Sequence, residues 1–275
     1  AGSGALSLSC ATRGRCEKYW LNDINKPLIE LLNLIVTRPA EVAEFYDGIW
    51  CDKDHDHIER FFSAREKFNK SGDPMVLLYL LARCVKGAVR YNRDGDFNQS
   101  PDKRRVGTHP KRMRENIFAV SRILQNRTQF SFSDYREVIG LANASDIIYM
   151  DPPYQGVCST RDQRYASGIS FDGFVEALDE LNRKGRRYLV SYDGRVGEKT
   201  YGHELPEDLD LVHLEIDAGR SAQATLLGHD ATTVESLYIS RNLADEVGVS
   251  ATYIKRQQIE QFRLLEEVVK YERAS

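Results

Sequence analysis

Ten residues near the middle of the chain decide its fold: Ser145-Asp146-Ile147-Ile148-Tyr149-Met150-Asp151-Pro152-Pro153-Tyr154. The apolar run from Ile147 to Met150 predicts a short buried strand. The two prolines end it, because each lacks a backbone N–H donor and holds φ near about −65°. The stretch therefore predicts a stiff loop at the carboxyl end of a strand, which is where ligands bind in open α/β sheets.

A loop with one carboxylate and one aromatic ring suits the methylation of an exocyclic amine on a nucleobase. The lone pair of that nitrogen is delocalised into the base, so acceptors for its two hydrogens would stabilise the charge that develops during attack. Asp151 would supply a carboxylate, Pro152 a carbonyl, and Tyr154 a ring that stacks on a base turned out of its helix. A rigid turn without chemistry is the alternative, and this stretch alone leaves both open.

The composition indicates an ordinary globular protein. The chain has 275 residues, of which 41% are hydrophobic and 29% charged, enough for one large domain or two small ones. No apolar run approaches the roughly 20 residues that a membrane span needs. The cysteines are odd in number, scattered and without a CxxC pair, which argues against a disulfide framework and a zinc site. This cysteine usage favours a reducing, cytoplasmic location.

The first residues contain two glycines one residue apart, Gly2 and Gly4, which suit a turn from a strand into a helix. Residues left over from cloning could show the same glycine spacing. A short strand-like run follows and ends at Asp23, 19 residues after Gly4. That spacing is typical of an acid that binds ribose hydroxyls. Alternatively, Asn22, Asp23 or Asn25 could simply cap the helix that is predicted to start at Pro27.

The segment from Arg83 to Arg114 is strongly basic. It holds ten lysines and arginines against three acids, in a chain whose net charge is −3. Such segregation of charge is typical of phosphate binding. The turn-rich part from Arg90 to Asn98 places aromatic rings and amides among the charges, and these could stack on bases or read them. A solvated basic loop is the alternative.

The remaining pattern alternates strands with helices. Strands are predicted within Thr128–Tyr135 and at Ile147–Met150, Arg187–Tyr192, Leu209–Ile216 and Glu235–Ser240, and helices over 38–82, 174–184 and 251–272. This order predicts an α/β fold with a mostly parallel sheet and helices on both faces. Asp134 follows the first of these strands and could accept a hydrogen bond from an adenine amino group, or it could cap a helix.

With these motifs in order, residues 1 to about 242 resemble the Dam-like DNA adenine methyltransferases of the alpha group, also called the D12 class. Gly2 and Gly4 match the family's glycine loop, and Asp23-Ile24-Asn25 matches its Asp-Ile-Asn. Arg90-Tyr91-Asn92, Gly95 and Phe97-Asn98 match an element of the DNA-facing region, and Asp134-Tyr135 falls where the cofactor's adenine is contacted. Asp151-Pro152-Pro153-Tyr154 matches the catalytic tetrapeptide.

The resemblance implies transfer of a methyl group from S-adenosylmethionine to N6 of a flipped-out adenine in duplex DNA, without a metal. It implies a catalytic tetrapeptide at Asp151, Pro152, Pro153 and Tyr154, and cofactor contacts at Gly2, Ser3, Gly4, Asp23, Ile24, Asp134, Tyr135 and Asp151. It implies DNA contacts at Arg90, Tyr91, Asn92, Arg93, Phe97, Asn98, Lys103, Arg104, Arg105, Lys111 and Arg112. A cognate restriction endonuclease is a further option that the family allows.

The resemblance also implies an organisation. A Rossmann-like methyltransferase domain would comprise 1–40 and 125–243, interrupted by a mainly helical DNA-recognition insert at 41–124 and followed by a helical tail at 244–275. Three departures bear on this scheme. The family's lysine-containing segment and first strand would precede Ala1, so we expect the natural protein to have residues before it. The run from Gln99 to Arg104 differs from the Pro-Phe-Gly-Arg-like run of GATC-specific members, and the tail has no counterpart.

Two alternatives stay open at this stage. An N4-cytosine or an RNA-adenine methyltransferase would use the same loop geometry at Asp151. A DNA-binding or regulatory module could keep the fold without turnover, and it would show no binding of S-adenosylmethionine.

Overall fold

The computed structural model describes residues 1–51, 56–152, 169–196, 199–201, 203–220 and 232–249. Over these ranges the chain is a mixed α/β protein that separates into two units, and the boundary along the chain falls between Gly140 and Leu141. The boundaries predicted for the insert (41–124) and the tail (244–275) remain predictions. The predicted helix at 251–272 lies outside the described residues.

The first unit is mainly helical. Its helices are α1 (Ala5–Thr12), α2 (Lys26–Thr37), α3 (Pro39–Cys51), α4 (His57–Ser71), α5 (Pro74–Arg83), α6 (Pro110–Leu124) and α7 (Tyr135–Leu141), the last of which reaches the boundary. Two short strands, β1 (Tyr19–Asn22) and β2 (Thr128–Ser131), pair in parallel with Tyr19 opposite Thr128 and Asn22 opposite Ser131. The sequence predicted both strands and the helical stretch between them.

Side-chain caps define where several of these helices begin. Asn25 accepts a hydrogen bond from the Leu28 N–H (3.3 Å), and Asp73 accepts one from the Met75 N–H (2.9 Å). The His109 ring caps α6 in the same way. In all three helices a proline occupies one of the first two positions, where its missing N–H leaves no intrahelical bond unmade. Asn25 is therefore the residue that caps α2, one of the alternatives left open above.

The core of the first unit forms around α5. Val76, Leu77 and Leu80 are completely inaccessible to solvent, and they pack with Tyr46 of α3 and Phe61 of α4. A second cluster packs Ala11, Val36 and Leu124 with partly buried Phe130 of β2, so α1, α2 and α6 cover the two strands. Burial of this apolar surface is the main force holding these helices together.

The second unit contains a five-stranded sheet. Its strands are β3 (Ile147–Met150), β4 (Arg187–Val196), β5 (Lys199–Tyr201), β6 (Leu211–Arg220) and β7 (Thr232–Ser240), in the order β3-β4-β7-β6 with β5 beside β4. β3 pairs with β4 in parallel, whereas β4–β5, β4–β7 and β6–β7 are antiparallel. The prediction of a mostly parallel sheet therefore does not hold for this unit. Parallel neighbours need a crossover connection, usually a helix, whereas antiparallel neighbours such as β6 and β7 can form without one.

Two helices of the described residues pack on this sheet. α8 (Phe171–Arg183) starts at Ser170, whose hydroxyl accepts a hydrogen bond from the Gly173 N–H (3.2 Å). Its buried Phe174 lies against Tyr192 of β4, with the ring centroids 5.5 Å apart. α9 (Arg241–Val247) packs Leu243 and Ala244 against Leu214 and Ile239 of the sheet. The amphipathic helix that the sequence predicted at 174–184 is therefore present and three residues longer at its start.

The strand before the tetrapeptide is more exposed than predicted. Met150 is buried, but Ile147 is 52% and Tyr149 41% accessible. Among the described strands β3 pairs only with β4, so it lies at an edge of the sheet and one of its sides is open. Ile147 and Tyr149 lie on the same face of β3, and the prediction of a buried strand was wrong for that face. Within the described part of the chain, no helix is both long and apolar enough to cross a membrane.

One glycine fixes the path of the chain after the basic segment. Gly107 has φ +85°, and a Cβ atom there would lie 2.7 Å from Arg83 Cδ and 2.8 Å from the Ala82 carbonyl oxygen. Only glycine combines this backbone conformation with such close approach to α5. The loop at 102–109 therefore lies directly on the end of that helix.

We expect Gly107→Ala to destabilise the protein markedly. The left-handed conformation costs about 1–2 kcal/mol for a residue with Cβ, and the overlap with Arg83 and Ala82 adds about 1–3 kcal/mol. Gly95→Ala is the matched control, because Gly95 has φ +86° but no atom within 4 Å of its added Cβ. Urea unfolding followed by circular dichroism measures both variants. Equal losses for the two would contradict the predicted contact at Gly107.

Candidate functional site

The glycine turn at the start of the first unit packs against β1. Gly2 and Gly4 both have left-handed φ values, +53° and +69°, and Gly4 immediately precedes α1. A Cβ atom on Gly4 would lie 3.2 Å from Leu21 Cδ2. The turn that the glycine spacing predicted before a helix is therefore present and lies close to β1, while Ser3 between the glycines is exposed. The approach of a ligand to its backbone remains a prediction.

Asp23 links this turn to the start of α2. Its Oδ2 accepts a hydrogen bond from the Gly2 N–H (3.1 Å), and its Oδ1 accepts one from the Asn25 N–H (3.0 Å). The side chain is half-buried at the carboxyl end of β1, and the neighbouring Ile24 is 57% exposed. Oδ2 also accepts from the Ala1 amino group (3.1 Å), whereas Oδ1 can accept one further bond, so this geometry suits a carboxylate that also binds a hydroxyl of a ribose.

Asn22 places the end of β2 beside the end of β1. Its side chain donates to the Ser133 carbonyl (2.9 Å) and accepts from the Ser133 N–H (3.0 Å). Asp134, the next residue, is exposed and accepts from the Arg136 N–H (2.9 Å), which is the helix-capping role considered above. Tyr135 follows as the first residue of α7. The structure thus brings Gly2, Asp23 and the Asp134 turn to the same edge of β1 and β2.

In the second unit Asp151 stands at the carboxyl end of β3, immediately after buried Met150. Its side chain is accessible to solvent, yet partial desolvation raises the pKa of its carboxyl, and the nearby Glu235 carboxylate raises it further. Pro152 is buried. Pro153 and Tyr154 lie outside the described residues, so their predicted roles remain predictions.

Two hydroxyl groups lie beside this strand end. Tyr149 Oη and Ser191 Oγ of the neighbouring β4 are 2.9 Å apart. Burial raises the pKa of Tyr149, the bond to Ser191 opposes that shift, and the charges of Asp151 and Glu235 add to it. Sequence reasoning missed Ser191 and Glu235, because the register between strands, and not spacing along the chain, places them near Asp151.

The segment from Arg90 to Asn98 forms a tight hairpin in the first unit. Tyr91 pairs with Phe97 in an isolated antiparallel bridge, and Gly95 supplies the left-handed residue of the turn. The Asn92 side chain accepts from the N–H groups of Asp94 (3.0 Å) and Asp96 (2.8 Å). Arg93 and Asn98 are exposed, whereas Arg90, Tyr91 and Asn92 are half-buried.

The prediction of a direct DNA contact for Phe97 needs correction. Its side chain is 1% exposed and belongs to the helical core, where its ring meets those of Phe68 and Tyr91 edge-on at 5.9 and 6.2 Å. The Asn69 side chain also bonds to both the N–H and the carbonyl of Phe97. Phe97 therefore fixes the hairpin to α4 and has no accessible surface to offer a base.

The basic loop, which we define as residues 102–109, is held through its own carbonyl oxygens. Trp50 Nε1 donates to the carbonyl of Val106 (3.2 Å), Tyr46 Oη donates to that of Thr108 (2.6 Å), and the Arg83 guanidinium donates to that of Arg105. Burial raises the pKa of Tyr46, so this phenol remains protonated and remains a donor.

This arrangement turns the basic side chains outward. Lys103, Arg104 and Arg105 are all exposed, as are Lys111 and Arg112 in the first turn of α6. Arg112 also pairs with Glu115 (3.2 Å) on the surface of that helix. The structure therefore presents these five predicted DNA-contact residues to solvent. Over the described residues, no group of three or more His, Cys, Asp or Glu side chains could hold a metal ion.

Comparison with known proteins identifies the family of the chain. The family model of the D12 class N6 adenine-specific DNA methyltransferases matches residues 1–220. The chain is 31% identical over 182 residues to the DNA adenine methylase of Vibrio cholerae, and the match covers 64% of each protein. It is 30% identical over 148 residues to the DNA adenine methylase of Serratia marcescens, covering 52% of this chain and 53% of that protein.

A third relative, the DNA N-6-adenine-methyltransferase of Escherichia phage P1, is 25% identical over 203 residues, which are 70% of this chain and 26% of that protein. The chain thus matches between about a quarter and two thirds of the length of these relatives. Because the family model matches most of the chain, the protein belongs to the D12 class of N6 adenine-specific DNA methyltransferases.

Proposed function

We propose that this protein transfers a methyl group from S-adenosylmethionine to N6 of an adenine that has been flipped out of duplex DNA. The observation that carries the proposal is the position of Asp151: an accessible carboxylate at the carboxyl end of a parallel strand, followed by Pro152, in a chain of this family. Ligands bind at such strand ends in α/β proteins.

The first unit offers residues that fit the methyl donor. Bound there, S-adenosylmethionine would supply a methyl group on a positively charged sulfur. The Gly2–Gly4 turn lets a ligand approach the backbone closely, and Asp23 retains acceptor capacity for a ribose hydroxyl. Asp134 and Tyr135 lie at the adjacent end of β2, where they would contact the adenine of the donor. Ser3 and Ile24, both exposed, flank this surface.

Asp151 and Pro152 would activate the target amine. The Asp151 carboxylate accepts a hydrogen bond from one amine hydrogen, and the Pro152 carbonyl accepts one from the other. These bonds favour a tetrahedral nitrogen whose lone pair can attack, and they stabilise its developing positive charge. The ionised form of Asp151 is the active one, because only an ionised carboxylate acts purely as an acceptor. Tyr154 would stack on the flipped base.

The remaining parts of the proposal concern architecture and DNA. The methyltransferase domain would comprise 1–40 and 125–243 as a Rossmann-like fold, with 41–124 inserted as the DNA-recognition element. Arg90, Tyr91, Asn92, Arg93 and Asn98 of the hairpin would face the DNA. The exposed basic side chains at Lys103, Arg104, Arg105, Lys111 and Arg112 support phosphate contacts, which position a protein on DNA without reading its sequence.

The direct test is methyl transfer from labelled S-adenosylmethionine to a plasmid prepared without adenine methylation, followed by digestion of the DNA to nucleosides. We expect label in N6-methyladenosine. Label in N4-methylcytosine would show that the target base is cytosine and not adenine. Label that appears only in an RNA substrate would show that the substrate is RNA and not duplex DNA. No label and no binding of S-adenosylmethionine would overturn the proposal as a whole.

We expect Asp151→Ala to abolish methyl transfer, because the variant lacks the proposed acceptor for the amine hydrogen. A fall of at least about a hundredfold is typical when one such group is removed. Asp146→Ala is the matched control: it removes an exposed acid just before the other end of β3. Filter binding to the same plasmid should remain for both variants. Full methylation by the Asp151→Ala variant would contradict the proposed mechanism.

The raised pKa of Asp151 predicts a pH dependence. Because the ionised carboxylate is active, kcat/KM should fall as the pH is lowered through this raised pKa. Glu235→Gln removes a negative charge that disfavours ionisation of Asp151, so it should lower the pKa and move the acidic limb of the profile to lower pH. Glu176→Gln, on the exposed face of α8, is the control. An unmoved limb in Glu235→Gln would contradict the assignment.

Charge removal from the basic loop should weaken DNA binding and flatten its salt dependence. Each lost phosphate contact reduces the slope of log K against log salt by about 0.9, so Lys103, Arg104 and Arg105 changed together to Gln should reduce it by up to about 2.7. Lys70, Arg183 and Lys184, which already pair with carboxylates on their own helices, form the control triple. An unchanged slope would exclude the loop from the contact.

A further inference from the structure

We propose that the hydrogen bond between Asn25 and Tyr91 couples binding of the methyl donor to binding of DNA. The inference rests on the proposed function, and it adds a positioning role for two side chains that lie 66 residues apart in the chain. All of the residues that carry it belong to the first unit.

The donor end of this connection is the Asp23 turn. The Asp23 carboxylate, proposed to bind the ribose, is bonded through Oδ1 to the backbone N–H of Asn25 (3.0 Å) and through Oδ2 to that of Gly2 (3.1 Å). A ligand that binds this carboxylate changes its orientation or its mobility. The same change in position or mobility reaches Asn25, because its backbone N–H is hydrogen-bonded to Asp23 Oδ1.

Asn25 uses its side chain in two directions. Its Oδ1 caps α2 by accepting from the Leu28 N–H (3.3 Å), while its Nδ2 donates to Tyr91 Oη (3.2 Å). The Tyr91 hydroxyl also lies 3.3 Å from Asn25 Oδ1 and can donate to it. Helix capping needs only the oxygen. The amide nitrogen therefore makes a contact that capping does not explain, and its partner belongs to the hairpin.

The DNA end is the hairpin at residues 90–98. Tyr91 forms the bridge to Phe97, whose backbone is fixed to Asn69 of α4 at 2.9 and 3.3 Å. Burial raises the pKa of the Tyr91 phenol, and the Asp23 carboxylate adds to that shift although the bond to Asn25 opposes it. The phenol thus stays protonated and can donate. The exposed Arg93 and Asn98 extend from the same hairpin toward solvent.

These contacts form one continuous path from Asp23 through Asn25 to Tyr91 and the hairpin. If DNA binding reduces the mobility of the hairpin, these bonds also reduce the mobility of the Asp23 turn. Binding of the donor then costs less conformational entropy, because the turn is already ordered. By thermodynamic linkage the donor must tighten DNA binding by the same factor. The expected coupling is positive, with donor affinity rising at least about fivefold in the presence of DNA.

Calorimetric titration of S-adenosylhomocysteine, which cannot be turned over, measures this coupling. Its Kd is determined for the full chain without DNA and with saturating fragments of the unmethylated plasmid, and the ratio of the two values is the coupling factor. Tyr91→Phe removes only the hydroxyl and keeps the ring on Phe97. Asn25→Ser keeps a capping oxygen on α2 but cannot reach Tyr91. Tyr19→Phe is the control, because the bond that its hydroxyl makes among the described residues is a local one, to the Cys16 carbonyl (3.0 Å).

We expect a ratio of about five or more for the natural sequence and for Tyr19→Phe, and a ratio below about two for each of the other variants. The double variant should show no further loss, because both changes break the same bond. A ratio near one for the natural sequence, or an undiminished ratio in Tyr91→Phe and Asn25→Ser, overturns the inference while leaving methyl transfer untouched. Failure of the natural chain to bind S-adenosylhomocysteine overturns the proposed function as well.

Discussion

The helical unit depends on one buried charge. The Arg83 side chain is 1% exposed at the end of α5, and its guanidinium donates to the carbonyl of Arg105 and approaches that of His57 (3.5 Å). A buried cation is tolerated only where acceptors satisfy it. Neutral carbonyls from the basic loop and from the start of α4 meet that requirement, so α4, α5 and the loop must assemble together. Gly107 is the residue that lets the loop come close enough.

The candidate donor site depends in a similar way on polar residues at the end of β1 and directly after it, each of which makes a different contact. Asn22 joins the end of β1 to the end of β2, Asp23 holds the glycine turn, and Asn25 starts α2. Short polar side chains suit these positions because they bond readily to nearby backbone groups. The same contacts that build the turn also orient the carboxylate. Its geometry is therefore a product of the local fold and needs no dedicated supporting residues.

Local signals predicted much of this structure, whereas long-range contacts were hidden from the sequence. The strand that precedes Asp151, the acid after β1 and the capped helices follow from neighbouring residues, and all are present. Burial of Phe97 could not be foreseen, because a motif match says which residues recur and not which way they point. Arg83 was counted with the basic surplus, yet it lies inside. Glu235 and Ser191 reach the surroundings of Asp151 through pairing of distant strands.

The way in which the basic loop is held bears on how such a protein can change during evolution. Tyr46, Trp50 and Arg83 all donate to backbone carbonyl oxygens, which every amino acid carries. Within the loop itself, Gly107, the Asp102 side chain, which accepts a hydrogen bond from the Arg104 N–H (2.8 Å), and the His109 ring, which caps α6, also shape the backbone. Residues such as Lys103 and Arg104 are free to be exchanged without disturbing the fold beneath them. A surface built in this manner can change the number and the placement of its positive charges by substitutions at the loop alone, while the helices that support it stay constant.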